Sequence, residues 1–257
     1  WEAASEAYLR VLSTDPLHED ASERLESMYM EHEQWQRLVE LLAKRSEHTT
    51  DAVDKRDLLI RLAEVYENQL EEYAYSFLYL QAAHREATGD SEVLEALERI
   101  SVQTENWAEL LTEYQNALNA FEDDEDKIDY GMKAARLCRD RLTDTNGAIR
   151  AFRGVLALAD DHEQALLELS DLYSNMEQWS ELAEVLFTRM DCSSDSFEQI
   201  EIGLKLGATL REKLSDIERA VTVFRRVLDL GESEGRSLDA LEMIFSDSSR
   251  WADLIDV

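Results

Sequence analysis

Four of the five tryptophans, Trp35, Trp107, Trp179 and Trp251, stand 72 residues apart in the chain. A spacing kept over the whole length means one structural unit copied in tandem, and such a chain folds by stacking its copies. The register holds without gaps. Leu25, Leu97, Leu169 and Leu241 agree in it, as do Leu38, Leu110, Leu182 and Leu254, and Leu70, Leu142 and Leu214. Softer matches follow: Tyr8, Leu80, Phe152 and Phe224, then Met28, Ile100, Leu172 and Ile244. The 257 residues hold about three and a half copies of one unit.

Within a copy the apolar residues recur at three and four, as in Leu58, Leu59, Leu62, Ala63, Val65 and Tyr66, the pattern of a helix with one buried stripe. One proline and eight glycines leave too few turn formers for a sheet protein, so the chain is expected to be all helix. The breaks are short and polar: Thr88 to Asp90, Asp144 to Gly147, Asp160 to His162, Cys192 to Ser196. They supply helix caps and acidic first turns. Four stripes per copy predict about fifteen helices, the first and last incomplete, in antiparallel pairs. A helix pair cannot bury its apolar face alone, so neighbouring pairs must stack.

The stretch Leu206, Gly207 and Leu210, then Ala220, Phe224, Val227 and Leu228, resembles a tetratricopeptide repeat, whose small residue in the first helix admits the second closely. Tyr8, Val11, Leu12, Asp15 and Pro16 resemble the end of the same motif. The alternate hairpin reads Leu169 and Tyr173, then Trp179, Leu182, Ala183 and Leu186, with tryptophan where the family usually has tyrosine. Glu98 stands where the family has a small residue. The resemblance implies an all-α, right-handed solenoid of antiparallel helix hairpins, a single array over residues 1–257. Its units are 1–34 (partial), 35–106, 107–178, 179–250 and 251–257 (partial). Trp1 starts in the second helix of a hairpin and Trp251 to Val257 reads as the first two turns of another. Neither end carries a polar capping helix, so the sequence is expected to be an excerpt of a longer protein.

Charge narrows the partners. With 26 cations against 57 acids the net charge is −31, spread as −7, −7, −9, −6 and −2 over the five units. Such a surface repels nucleic acid and anionic lipid, and its even spread reads as a property of the whole solvated surface, suited to a saline setting. No apolar run approaches a membrane span and no signal sequence opens the chain. Two free thiols suit a reducing compartment, so a cytoplasmic protein is expected, with a periplasmic or surface role as the alternative. Cys138 and Cys192 are too few and too distant for a zinc knuckle or a disulfide framework. No N-x-[ST] acceptor occurs.

Catalytic and cofactor motifs are missing. His32-Glu33 and His162-Glu163 begin like H-E-x-x-H, but the closing position holds Gln36 or Leu166, and both histidines are expected at exposed helix ends. The glycines form no phosphate-binding loop or nucleophile elbow. Asp123 to Asp126 lacks the spacing and turn glycine of a calcium loop and reads as an acidic first turn. Cys138 is read as core and Cys192 as a loop thiol, open to modification. The periodic tryptophans are read as packing residues. Neither a metal, a cofactor nor a catalytic residue is assigned.

In tetratricopeptide folds the first helix of each hairpin lines the concave face. The resemblance therefore places Asp57, Ile60, Glu64, Glu67 and Asn68 there, then Asp129, Met132, Arg136, Arg139 and Asp140, then Glu201, Leu204, Arg211 and Glu212 with Ala208. Ile60, Met132 and Leu204, with Glu64, Arg136 and Ala208, replace the lysine and asparagine clamp of chaperone-binding members. The expected function is a scaffold that holds a protein or peptide segment in the groove, without catalysis and without nucleic acid. Two alternatives are the recognition arm of a larger enzyme and a spacer that associates end to end.

Overall fold

The computed structural model describes residues 1–231 and 234–247, so Trp251, Leu254 and the fifteenth helix expected at 251–257 lie outside the described residues. Fourteen helices are present among the described residues: α1 (Glu2–Thr14), α2 (Glu19–Glu31), α3 (Trp35–His48), α4 (Ala52–Asn68), α5 (Tyr73–Glu86), α6 (Ser91–Thr104) and α7 (Trp107–Ala120), then α8 (Asp124–Asp140), α9 (Thr145–Leu158), α10 (Glu163–Asn175), α11 (Trp179–Cys192), α12 (Ser196–Glu212), α13 (Ile217–Asp229) and α14 (Glu234–Asp247). No strand occurs among the described residues. The chain divides into two compact units, residues 1–126 and 127–257, with the division in the first turn of α8.

In each unit, helices consecutive in sequence pack on one another. As far as α13 the connections are two to four residues long, which forces antiparallel neighbours. The helix ends obey the repeat. Asp51 caps α4 by accepting from the Val53 and Asp54 N–H groups, and Asp195 caps α12 by accepting from Phe197 N–H. His18 caps α2 and His162 caps α10, each ring Nδ1 accepting a backbone N–H, and Asp90 does the same for α6. Two further sets recur at 72 residues: Glu33, Glu105 and Glu177, and Glu71, Thr143 and Ser215, all with φ between 52° and 56°. This left-handed backbone ends the first helix of each hairpin, at a cost of about 1–2 kcal/mol for a residue with a Cβ. That the chain carries glutamate, threonine and serine here helps to explain how so many turns need so few glycines.

The repeated leucines are the core. In the first unit Leu25 and Leu97 are fully buried, and Leu38, Leu80, Ile100 and Leu110 are buried as well. In the second, Leu169, Leu182, Phe152, Phe224 and Leu241 take the corresponding places. The close approach expected at Gly207 is present: a Cβ there would lie 2.5 Å from the Phe224 ring of α13. Gly131 likewise faces Val155 of α9 at 2.8 Å, and Gly203 faces Val227. Trp35, Trp107 and Trp179 are half-buried at the starts of α3, α7 and α11.

Candidate functional site

The first-helix residues singled out from the sequence lie on α4, α8 and α12, and the structure separates them by exposure. Asp57, Glu64 and Asn68 are exposed on α4, Asp129, Arg136 and Asp140 on α8, and Glu201 and Glu212 on α12. Ile60, Glu67, Arg139, Leu204 and Arg211 are half-buried. Met132 is in the core, 6% exposed, and presents nothing to a ligand.

In the first unit, Ile60, Glu64 and Glu67 of α4 come together with Glu92, Glu95, Ala96 and Arg99 of α6 around a cleft of about 130 Å³. Its floor is apolar: Ala63, Val93 and Leu80 are buried beneath the half-exposed Ile60 and Ala96. Its rim is acidic. The one guanidinium in the lining, Arg99, is held in a two-pronged pair by Glu67, with Nε to Oε1 at 2.9 Å and Nη2 to Oε2 at 2.8 Å. The hydrogen bonds that Arg99 donates to Glu67 raise its pKa further, against the opposing effect of burial, with the charges of Glu67 and Glu64 adding to the field. Nearby, Arg56 joins Asp57 at 2.6 Å and Asp90 at 2.7 Å, tying α4 to the start of α6.

In the second unit the arginines expected to meet a ligand already have partners. Glu168 of α10 accepts from both Arg136, at 3.3 Å, and Arg139. Arg139 also donates to Asp140, at 2.6 and 3.1 Å, and that hydrogen bond holds the Asp140 carboxyl below its ordinary pKa. Arg211 donates to Glu212 at 2.5 Å and lies 3.6 Å from the Met243 sulfur. Glu201 accepts from Arg236 of α14 at 2.5 Å, and Lys133 lies 3.5 Å from Asp129. Sequence reasoning missed Glu168, Arg99, Glu92 and Glu95 because it followed one hairpin in two. The signal was available: the pairs Glu67 with Arg99 and Arg136 with Glu168 share a separation of 32 residues, the step from one first helix to the next.

No protein-family model matches the chain, and no curated protein sequence matches it. Among solved structures, the complex of Naa15/Naa10 bound to HypK-THB aligns over 90% of this chain and 34% of the matched chain, with a TM-score of 0.53 at 15% identity. YrrB, described as a TPR protein with an unusual peptide-binding site, aligns over 78% of this chain and 97% of its own at TM-score 0.41 and 13% identity. The C-terminal part of a TPR repeat-containing protein from Cytophaga hutchinsonii aligns over 92% and 93%, at TM-score 0.42 and 10% identity. The chain has a tetratricopeptide-like helical-repeat fold.

Other candidate groups take structural places in this TPR-like array. His32, exposed at the C-cap of α2, stacks on Trp1 with ring centroids 4.6 Å apart. Asp123 accepts from Glu125 N–H, which leaves Asp124, Glu125 and Asp126 as the acidic first turn of α8. Cys138 is buried, as expected. Cys192 differs from expectation: it is the last residue of α11 rather than part of the loop, because the helix runs on until Ser193 turns extended. It is exposed, but partial burial and the carboxylates of Asp161, Asp160 and Asp191 push its thiol pKa up. Less thiolate makes a weaker nucleophile. The buried pair of His84 and Glu113, joined at 2.7 Å, had no counterpart in the sequence reading. No helix among the described residues is long and apolar enough to cross a membrane.

Proposed function

We propose that the chain is a protein-interaction scaffold that binds an extended or helical partner segment on its first-helix faces and performs no catalysis itself. One observation carries the reading. The α4–α6 cleft combines an apolar floor with a charged rim, the combination that seats an anchor side chain and then orients it. The paired arginines of α8 and α12 form a firm surface rather than free ligand hooks, so contacts there are expected to be made by the remaining carboxylates and apolar edges. The fold supports the same reading, since the Naa15 complex of similar architecture contains bound protein partners.

The test is affinity isolation with the 257-residue chain, followed by amide hydrogen exchange of the purified complex. Protection concentrated on α4 and α6, or on α8, α10 and α12, is expected. Protection restricted to the second helices α5, α7, α11 and α13 would sink the proposal.

A further inference from the structure

The cleft between α4 and α6 has a chemistry that selects one kind of occupant. Four carboxylates, Glu64, Glu67, Glu92 and Glu95, surround it against the single guanidinium of Arg99. Arg99 is spent on Glu67 through both prongs. Glu64, Glu92 and Glu95 make no ion pair with a cation among the described residues. Three carboxylates therefore share a recess whose walls are low in dielectric, and such a recess concentrates negative potential. Beneath them lie the carbon surfaces of Ile60, Ala63, Leu80, Val93 and Ala96. At about 130 Å³ the recess has room for about four waters, and equally for a short aliphatic stem.

The other copies show that the fold does not require this charge. Glu64 corresponds in register to Arg136 and Ala208, Glu92 to Gln164 and Arg236, and Glu95 to Leu167 and Asp239. In the copy that follows, the signs are exchanged, with arginines on α8 meeting Glu168 of α10. The α4–α6 pair combines a recess on the first-helix face with carboxylates that make no ion pair among the described residues. A general surface acidity would add negative charge but would not place it around an apolar floor.

We infer that the α4–α6 cleft is a specificity pocket for a lysine or arginine side chain of the bound segment, which makes the partner a basic one. The aliphatic stem lies over Ile60, Ala63 and Ala96, and the cationic head is shared among Glu64, Glu92 and Glu95. A neutral side chain of equal length would fill the floor but leave the carboxylates repelling one another. An acidic one is excluded. This inference rests on the reading of the first-helix face as the binding surface and assigns the chemistry of its ligand.

The test is an NMR titration of the full chain, with Ile and Ala methyl groups labelled, at low salt. The probes are acetyl-Leu-Lys-Leu-amide and acetyl-Leu-Arg-Leu-amide, with norleucine and glutamate versions as controls. Saturable shifts at Ile60, Ala63 and Ala96 are expected with the lysine and arginine peptides and not with the controls. The double substitution Glu64→Gln with Glu95→Gln should weaken that binding by about fivefold, the loss of two partly exposed charge contacts. Glu47→Gln with Glu109→Gln removes the same charge from the second helices α3 and α7 and should leave binding within about twofold. Equal weakening by the two doubles would reduce the effect to diffuse charge and overturn the pocket, as would shifts elsewhere or an equal response to norleucine. If a natural partner protects α4 and α6 from exchange while these peptides leave the cleft methyls unmoved, the pocket fails and the binding face stands. If the peptides bind the cleft and the partner's protection falls only on the second helices, the pocket stands as a cation site and the scaffold reading fails.

Discussion

Inside the first unit, one copy of the repeat has exchanged oil for hydrogen bonds. Where neighbouring copies carry Leu12 with Leu41 and Leu156 with Val185, this one carries His84 and Glu113, and Ser101 stands where they have Tyr29 and Tyr173. His84 Nε2 accepts from Gly89 N–H at 3.1 Å, so the proton lies on Nδ1, which donates to Glu113 Oε2 at 2.7 Å. Gln81 also donates to Glu113, at 2.9 Å, and the Asn116 amide lies 3.4 Å away. Burial alone would raise the Glu113 pKa, but hydrogen bonds from His84, Gln81 and Asn116 outweigh it and hold the carboxyl below its ordinary value. A carboxyl with a depressed folded pKa stabilises the fold above its unfolded pKa of about 4.3, and that contribution is lost as pH falls through the folded value. Glu113→Gln keeps the shape but not the charge, and should cost about 1–3 kcal/mol at neutral pH. Urea midpoints of the two proteins should converge as the pH falls below the unfolded value of about 4.3 and then through the folded one, where the native carboxyl becomes neutral too. A constant gap would show that shape, not charge, sets the difference.

At the scale of the helices, nearly the whole fold was legible, because a 72-residue period and a three-four apolar stripe each report burial directly. The caps were legible too, since Asp51, Asp123 and Asp195 share one register and do one job. The left-handed positions at Glu33, Glu105 and Glu177 were not, because glutamate carries no signature of positive φ. The charge pairing of the candidate site was hidden for a different reason. It joins first helices of adjacent hairpins, at separations near 32 residues, whereas the strongest period in the chain joins every second hairpin. Close packing of α12 on α13 at Gly207 was expected from the tetratricopeptide resemblance of Leu206 to Leu228, and it can be tested there. Gly207→Ala would drive a methyl group to 2.5 Å from a Phe224 ring that is itself 2% exposed and has little freedom to retreat. Such overpacking costs about 1–3 kcal/mol, despite the gain in helix propensity of about 1 kcal/mol from alanine. The expected outcome is a lower urea midpoint, with Phe224→Leu in the same chain recovering part of it. Gly154→Ala, where a Cβ meets nothing within 4 Å, should stabilise α9 instead and serves as the control.

For the whole molecule the governing quantity is the −31 charge. Even with every one of the 26 cations paired, 31 carboxylates are left over, so the folded chain repels itself more than its ion pairs attract. Salt weakens both effects, but unequally. The exposed pairs, such as Arg226 with Asp191 or Arg236 with Glu201, contribute about 0–1 kcal/mol each. The residual repulsion acts over longer distances, and these are what a Debye length of about 30 Å at 0.01 M leaves unscreened and one of about 3 Å at 1 M removes. Stability should therefore rise with added sodium chloride, most steeply at low salt, and then level. Chloride is the salt to use because sulfate also strengthens apolar burial. A thermal midpoint that stays flat or falls between these limits would mean that the pairs outweigh the repulsion, and the reading of the acidity as an adaptation to a saline setting would lose its physical basis. The same titration bears on binding: a basic partner attracted by this surface should be held less tightly as salt rises, so the salt that best protects the fold is the salt that most weakens the complex.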